Sequence, residues 1–225
     1  MRALPGKASR VPSGPQPVSR EDAPADQRRR ILRATAELVA KRGFQGATNE
    51  LIVRRARVGY ATFYKHFADK EECLLALFEE TSRRVEVTLR GVYEQEPEPW
   101  SRKAAAVLRT LFALIAADPV VAKACLVETL SAGPAALAAY EAALKSFGPM
   151  LRPGRDLNPR GEQLPATLED TLAGGVLWVA YQRLIVGEAD KLEGLLPETV
   201  EFVLTPYLGE EEAVRVASEE LSAAA

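Results

Sequence analysis

The sequence predicts an all-α protein, on three observations. Apolar residues recur at three- and four-residue spacing, as in Ile31, Ala34, Leu38 and Val39, which is the period of a helix with one buried face. No stretch alternates apolar and polar residues as a half-buried strand would, and no segment repeats at a fixed period. Proline and glycine fall at intervals that divide the periodic pattern into separate helices.

Residues 1–24 hold five prolines and are rich in Gly, Ser and Arg. They offer too little apolar surface to offset the entropy of ordering, so a disordered basic arm is expected there. The arm has no apolar run of the kind a secretory signal needs. The first helix is expected over Asp26 to Arg42, with Asp26 as N-cap and Gly43 as stop. Its polar face carries Arg28, Arg29, Arg30, Arg33, Lys41 and Arg42. A short second helix is expected over Asn49 to Arg55, capped by Thr48 and apolar at Leu51, Ile52 and Ala56. After a turn at Arg57–Val58–Gly59, a third runs over Tyr60 to His66, with Phe63 and Phe67 inward. The fourth opens at Asp69, where Asp69 and Glu72 have capping-box spacing, and reaches about Val92 on a stripe of Leu74, Leu75, Leu77 and Phe78.

Residues 94–99 break the pattern with two prolines. Further helices are expected over Ser101–Ala117, Pro119–Ser131, Pro134–Met150, Leu164–Val186 and Leu195–Leu208, with a loop over Arg152–Gln163. Residues 211–225 read as an acidic, alanine-rich tail, a helix that frays. The organisation expected is an arm (1–24), a small N-terminal domain (25–72, its last helix continuing onward), a helical body (73–210) and the tail.

Composition narrows the function classes. With 225 residues, 47% of them hydrophobic, the chain can bury a sizeable core. The net charge is only −2, but it is divided: residues 1–70 hold 15 Lys/Arg against 6 Asp/Glu, and residues 71–225 hold 14 against 25. A basic first third on an acidic body suits a nucleic-acid partner for the first third. Cys73 and Cys125 are isolated among apolar residues, which gives neither a disulfide framework nor a zinc site and fits a reducing cytoplasm. His66 is the single histidine, so a histidine-rich metal site is excluded. There is no glycine-rich phosphate loop, and the neighbouring carboxylates Glu169 and Asp170 point apart on a helix. Neither an enzyme nor a cofactor is expected. The longest apolar run, Leu172 to Val186, is interrupted by Gln182 and Arg183, so no membrane span is expected either.

Two short helices joined by a tight turn within a basic segment make a helix-turn-helix. The major groove admits one helix, whose N-terminal residues then reach base edges. The alternative at this point is a helical interaction scaffold that does not bind DNA.

The residues Ile31-Leu32 through Gly43-Phe44, then Thr48, Ile52, Ala56 and Val58, and above all the block Thr62-Phe63-Tyr64-Lys65-His66-Phe67-Ala68-Asp69-Lys70-Glu71, resemble the TetR family of repressors. The resemblance covers about residues 28–80. It implies that Thr48 caps the second helix and touches a phosphate. It implies that Tyr60, Ala61 and Thr62 face the groove, and that Tyr64, Lys65 and His66 meet phosphates or outer bases. Lys70 would clamp the backbone, helped by the dipole of its helix. Core packing remains the alternative for Tyr64 and His66, and plain solvation for Lys65 and Lys70. The chain departs from the family pattern at three places. Arg57 stands where the turn usually carries glycine and could pair with a phosphate. Gly59 replaces a capping serine, and Val53 replaces a smaller residue.

The same resemblance implies a homodimer on a palindromic double-stranded operator, and a repressor released by a small apolar or amphipathic ligand. Dimerisation would use the last two long helices, with Gly174, Gly175 and Ala180 allowing close approach and Leu177, Leu184, Leu204 and Tyr207 giving apolar surface. Candidate ligand-lining residues are Phe112, Cys125, Glu128, Tyr140, Phe147, Trp178 and Tyr181. Ordinary core packing is the alternative for both sets.

Overall fold

The structure, a computed structural model, describes residues 23–223. Most of the expected arm lies outside the described residues. Those residues form an all-helical protein with no strand.

The first four helices build the head. α1 (Ala23–Gly46) starts a turn earlier than expected, and Gly43 breaks it at φ 73°, a conformation that suits glycine. α2 (Asn49–Ala56) has Thr48 as N-cap, its side chain accepting from Leu51 N–H at 3.2 Å. α3 (Tyr60–His66) follows an uncapped Gly59. α4 (Lys70–Gln95) is capped by Asp69, which accepts from Glu72 N–H at 2.8 Å; Glu72 reaches back to Ala68 N–H at 2.6 Å. That is a capping box displaced by one residue, and it joins the head to the long helix that carries the chain into the body.

The body adds α5 (Trp100–Ala117), α6 (Pro119–Lys123), α7 (Pro134–Lys145), α8 (Gly148–Leu151), α9 (Leu168–Val186), α10 (Leu196–Leu208) and α11 (Glu210–Ala223). Asp118 caps α6 by accepting from Val121 N–H at 3.1 Å. The helix then loosens to a π-turn over Ala124–Glu128 and tightens to a 3-10 turn over Thr129–Ser131. The expected helix Pro134–Met150 is interrupted at Ser146 and Phe147. The expected loop Arg152–Gln163 contains 3-10 turns at Arg152–Leu157 and Gly161–Gln163. Residues 210–223, expected to fray as an acidic tail, form α11. Its Ala213, Val216 and Ala217 are buried in the body core, against α10 and α5. Ala213 and Ala217, read as part of a fraying tail, are the small residues of a packed stripe.

Two apolar cores result. The body core gathers Leu111, Phe112, Val176, Leu184, Val203 and Tyr207 with their neighbours. The head core gathers Ile31, Val39, Ile52, Phe63, Phe67 and Leu74, and it also contains Ala124 and Cys125 from the π-turn. The body therefore completes the head. An ion pair ties the same seam, Arg33 to Asp118 at 2.5 Å, and within the head Arg28 pairs with Glu80 of α4. No single helix among the described residues is long and apolar enough to cross a membrane.

Candidate nucleic-acid interface and ligand cavity

A seven-residue helix is too short to stand alone, so α3 depends on what lies beneath it. Phe63 and Phe67 are buried under it, with ring centroids 6.4 Å apart. Truncating a buried Phe costs about 3–5 kcal/mol. With that face fixed, Tyr60, Ala61, Tyr64 and Lys65 face solvent. Tyr60 and Tyr64 are 51% and 54% exposed and stack at 6.4 Å. Tyr64 is also braced edge-on by Phe63 at 5.3 Å. Thr62 is half-buried between the two faces.

The remaining candidates divide. Thr48 and Arg57 are exposed. The Thr48 oxygen is engaged as an acceptor, which leaves its O–H free to donate. Arg57 takes the left-handed conformation at φ 54°, ψ 48°, where glycine was missed. Lys70 is half-buried: Nζ donates to Phe44 O at 2.9 Å and lies 4.3 Å from the Phe44 ring centroid. It holds the last turn of α1, past the Gly43 break, and has further N–H groups to offer. His66 Nε2 is buried with no hydrogen-bond partner among the described residues. Its basicity is lowered by burial first, then by Lys65 and Arg28, so the ring is neutral near pH 7 and contributes no cation.

Much of the arginine face of α1 is spent inside the molecule. Arg30 donates from Nη1 to Ala56 O at 3.3 Å and Arg57 O at 3.4 Å. It thereby caps the C-terminus of α2 and holds the turn that aims α3. Arg33 pairs with Glu37 at 3.1 Å as well as with Asp118, and Arg55 also pairs with Glu37. The Arg30 role escaped sequence reasoning, because a run of arginines on one helix face reads as a solvated patch.

In the body a cavity of about 800 Å³ lies between α4, α5, α6 and α7. Phe78, Val85, Leu111, Ile115, Tyr140 and Phe147 make its walls mostly apolar, and Thr81 and Arg84 add polar groups. Tyr140 stacks on Phe78 at 5.9 Å. Burial pushes the Cys125 thiol up to about 12, so it lines the cavity as a small apolar group.

Of the seven residues expected to line a ligand site, Cys125, Tyr140 and Phe147 line this cavity. Phe112 is packed in the body core. Glu128 turns away: its carboxylate accepts from Phe44 N–H at 2.9 Å, across the seam to the head. Trp178 and Tyr181 stack on each other at 5.2 Å on the outer side of α9, with Trp178 57% exposed. The α4 contribution of Thr81, Ser82 and Arg84 went unrecognised, its one signal being hydroxyls in mid-helix.

Leu177, Ala180, Leu184, Leu204 and Tyr207, expected at a face between copies, are buried within the single chain. The apolar residues left exposed on α9 and α10 are Trp178, Ile185, Val186 and Phe202. Phe202 sits over Gly175, where a Cβ would stand 2.9 Å from its ring.

Residues 31–77 match the sequence pattern of the tetR family of bacterial regulatory proteins. No curated protein matches the chain. The chain is similar in fold to the fatty acid degradation regulator FadR of Bacillus halodurans, with TM-score 0.70 and 20% identity over 79% of this chain and 94% of that one. It is similar to FadR of Bacillus subtilis, solved in complex with stearoyl-CoA, with TM-score 0.67 and 18% identity over 79% and 97%. A tetR-family regulator from Shewanella sp. PV-4 gives 0.63 and 16% over 80% and 97%.

Proposed function

This chain belongs to the tetR family of bacterial regulators through its N-terminal domain, and from that premise we propose that it is a ligand-responsive, homodimeric repressor on a palindromic operator. The observation that carries the reading is the outer face of α3, where Tyr60, Ala61, Tyr64 and Lys65 project together while Phe63 and Phe67 anchor the helix. In this reading α3 enters the major groove. Tyr60, Ala61 and Thr62 approach base edges, and Tyr64 and Lys65 meet phosphates. Thr48 donates its hydroxyl to a phosphate at the N-terminus of α2, and Arg57 and Lys70 add cationic contacts. His66, half-buried at the end of α3, packs against Phe67. The site of action is the cytoplasm, where the DNA is.

The dimer is assigned to the outer face of α9 and α10, with Trp178 and Phe202 as its apolar anchors. A two-fold axis there presents two copies of α3 to successive grooves, which is why the operator is read as a palindrome. The cavity beside α6 takes an apolar or amphipathic small molecule. The stearoyl-CoA held by the Bacillus subtilis relative is a ligand of that chemistry. A ligand that prefers one spacing of the two heads shifts the dimer toward it and releases the operator.

The test is fluorescence anisotropy with the DNA upstream of the coding region, across a salt series. Affinity is expected to fall steeply with salt, as phosphate neutralisation requires. Lys65→Ala and Tyr64→Ala are each expected to weaken binding with the far-UV helical signal unchanged. Normal binding by both variants would remove α3 from the groove.

A further inference from the structure

A second cleft, of about 880 Å³, opens on the opposite side of α6 from the ligand cavity. Its walls come from both parts of the molecule: α1 and α2 on one side, α6 and the turn after α9 on the other. Five cations line it, Arg33, Lys41, Arg42 and Arg55 from the head and Lys123 from the body, against the two carboxylates Glu37 and Asp190.

The pairing within the cleft decides which charges are free. Glu37 is occupied by Arg33 and Arg55, and Arg33 is held also by Asp118. Lys41, Arg42 and Lys123 make no ion pair or hydrogen bond through their side chains among the described residues. Three unspent cations therefore face one cleft from two walls, opposed by the single unpaired carboxylate of Asp190. Between them the floor is apolar, formed by Leu38, Val120 and Leu184.

That arrangement selects a ligand chemistry. Cations on facing walls suit a group with several acceptor oxygens and a charge near −2, which is a phosphomonoester at neutral pH. A carboxylate supplies half the charge and two oxygens. The apolar floor suits an organic group attached to the phosphate. We propose that the cleft between α1 and α6 binds a small organic phosphomonoester, held by Lys41, Arg42 and Lys123 with its organic group on Leu38, Val120 and Leu184. This site is separate from the apolar cavity, on the other face of the same helix. Its occupant bridges head and body, so it fixes α1 against α6.

The test is isothermal titration of the full-length protein at low salt with two probes, phenyl phosphate and inorganic phosphate. Saturable binding of one phenyl phosphate per chain is expected, about tenfold tighter than inorganic phosphate because the ring covers apolar floor. The double variant Lys41→Gln, Lys123→Gln removes both charges but leaves polar, hydrogen-bonding side chains, and is expected to weaken phenyl phosphate about tenfold or more, the scale of lost charge-assisted hydrogen bonds. Lys65→Gln, on the α3 face, is expected to leave that binding unchanged. The proposal is overturned by absence of saturable binding, by equal affinity for the two probes, by binding that survives the double variant, or by equal loss in Lys65→Gln.

Discussion

Arg57 concentrates the tension between fold and function at a single residue. It is the one non-glycine at positive φ among the described residues, where an L-residue bears about 1–2 kcal/mol of strain. The turn is held by Arg57 N–H on Arg54 O at 3.3 Å and by the Arg30 guanidinium on two carbonyls. Arg57→Gly relieves the strain but loosens the unfolded chain, which opposes the gain by about 0.4–1 kcal/mol. A net stabilisation of about 0.5 kcal/mol is expected in urea unfolding. The same variant is expected to bind DNA more weakly, with the salt slope reduced by about one for the lost phosphate contact. An unchanged slope would take Arg57 out of the interface. The departure at this position was legible from the family resemblance, in which the turn usually carries glycine; that Arg57 itself takes the left-handed conformation was not. The work of Arg30 was not: its partners lie 26 and 27 residues away, and nothing local marks a guanidinium aimed at distant carbonyls.

At the scale of elements, the segment between α8 and α9 shows how one side chain can organise what sequence presents as a loop. Arg155 makes a two-pronged pair with Glu169 of α9, at 2.7 and 2.9 Å. It also donates to the carbonyls of Gly161, Leu164 and Pro165. Tyr207 of α10 donates its hydroxyl to the same carboxylate at 3.2 Å. Glu169 is buried, so removing its charge leaves Arg155 without its counter-ion. Glu169→Gln is expected to cost about 3 kcal/mol, a fall of roughly 10 °C in Tm. The Arg155 hydrogen bonds hold the Glu169 carboxyl below its ordinary range. A lowered carboxyl pKa contributes stability in full above the unfolded value of about 4.3, and loses it as pH falls toward the folded value. Wild type and Glu169→Gln are therefore expected to differ in Tm at pH 7 and to converge as pH is lowered through 4. A gap that persists at low pH would assign the effect to packing. Helix existence was legible from periodicity throughout the body. The Arg155 cluster was not, because it joins one side chain to acceptors on several separate segments. α11 was misjudged for a different reason: alanine is both the residue of frayed tails and the residue that lets helices pack closely.

For the whole molecule, what sequence left open was which faces of α9 and α10 turn inward. Both helices are apolar nearly all round, so periodicity does not distinguish core from contact surface. In the structure Leu177, Leu184 and Tyr207 go to the core, and Trp178, Ile185 and Phe202 remain outside. On the proposed dimer, Trp178→Glu removes a large aromatic anchor and places a charge in an apolar interface. A loss of at least about 2 kcal/mol is expected, a 30-fold rise in the dimer dissociation constant. Sedimentation velocity across a concentration series measures it, and an unchanged dissociation constant would move the two-fold axis to another face. The split of charge was the more reliable guide at this scale, since it marked the head as the basic part before any helix was placed.

The presence of Ala124 and Cys125 in the head core bears on how such a protein can be recombined. A chimera cut after residue 78, past the last α4 side chain of that core, would still transplant a head with a hole where those two side chains sat. A graft that carries the 120–128 strip along with residues 23–78 would bring its own plug. In engineering hybrid sensors from this chain, the portable unit is thus discontinuous: two stretches of sequence, separated by more than a helix length, that must be inherited together.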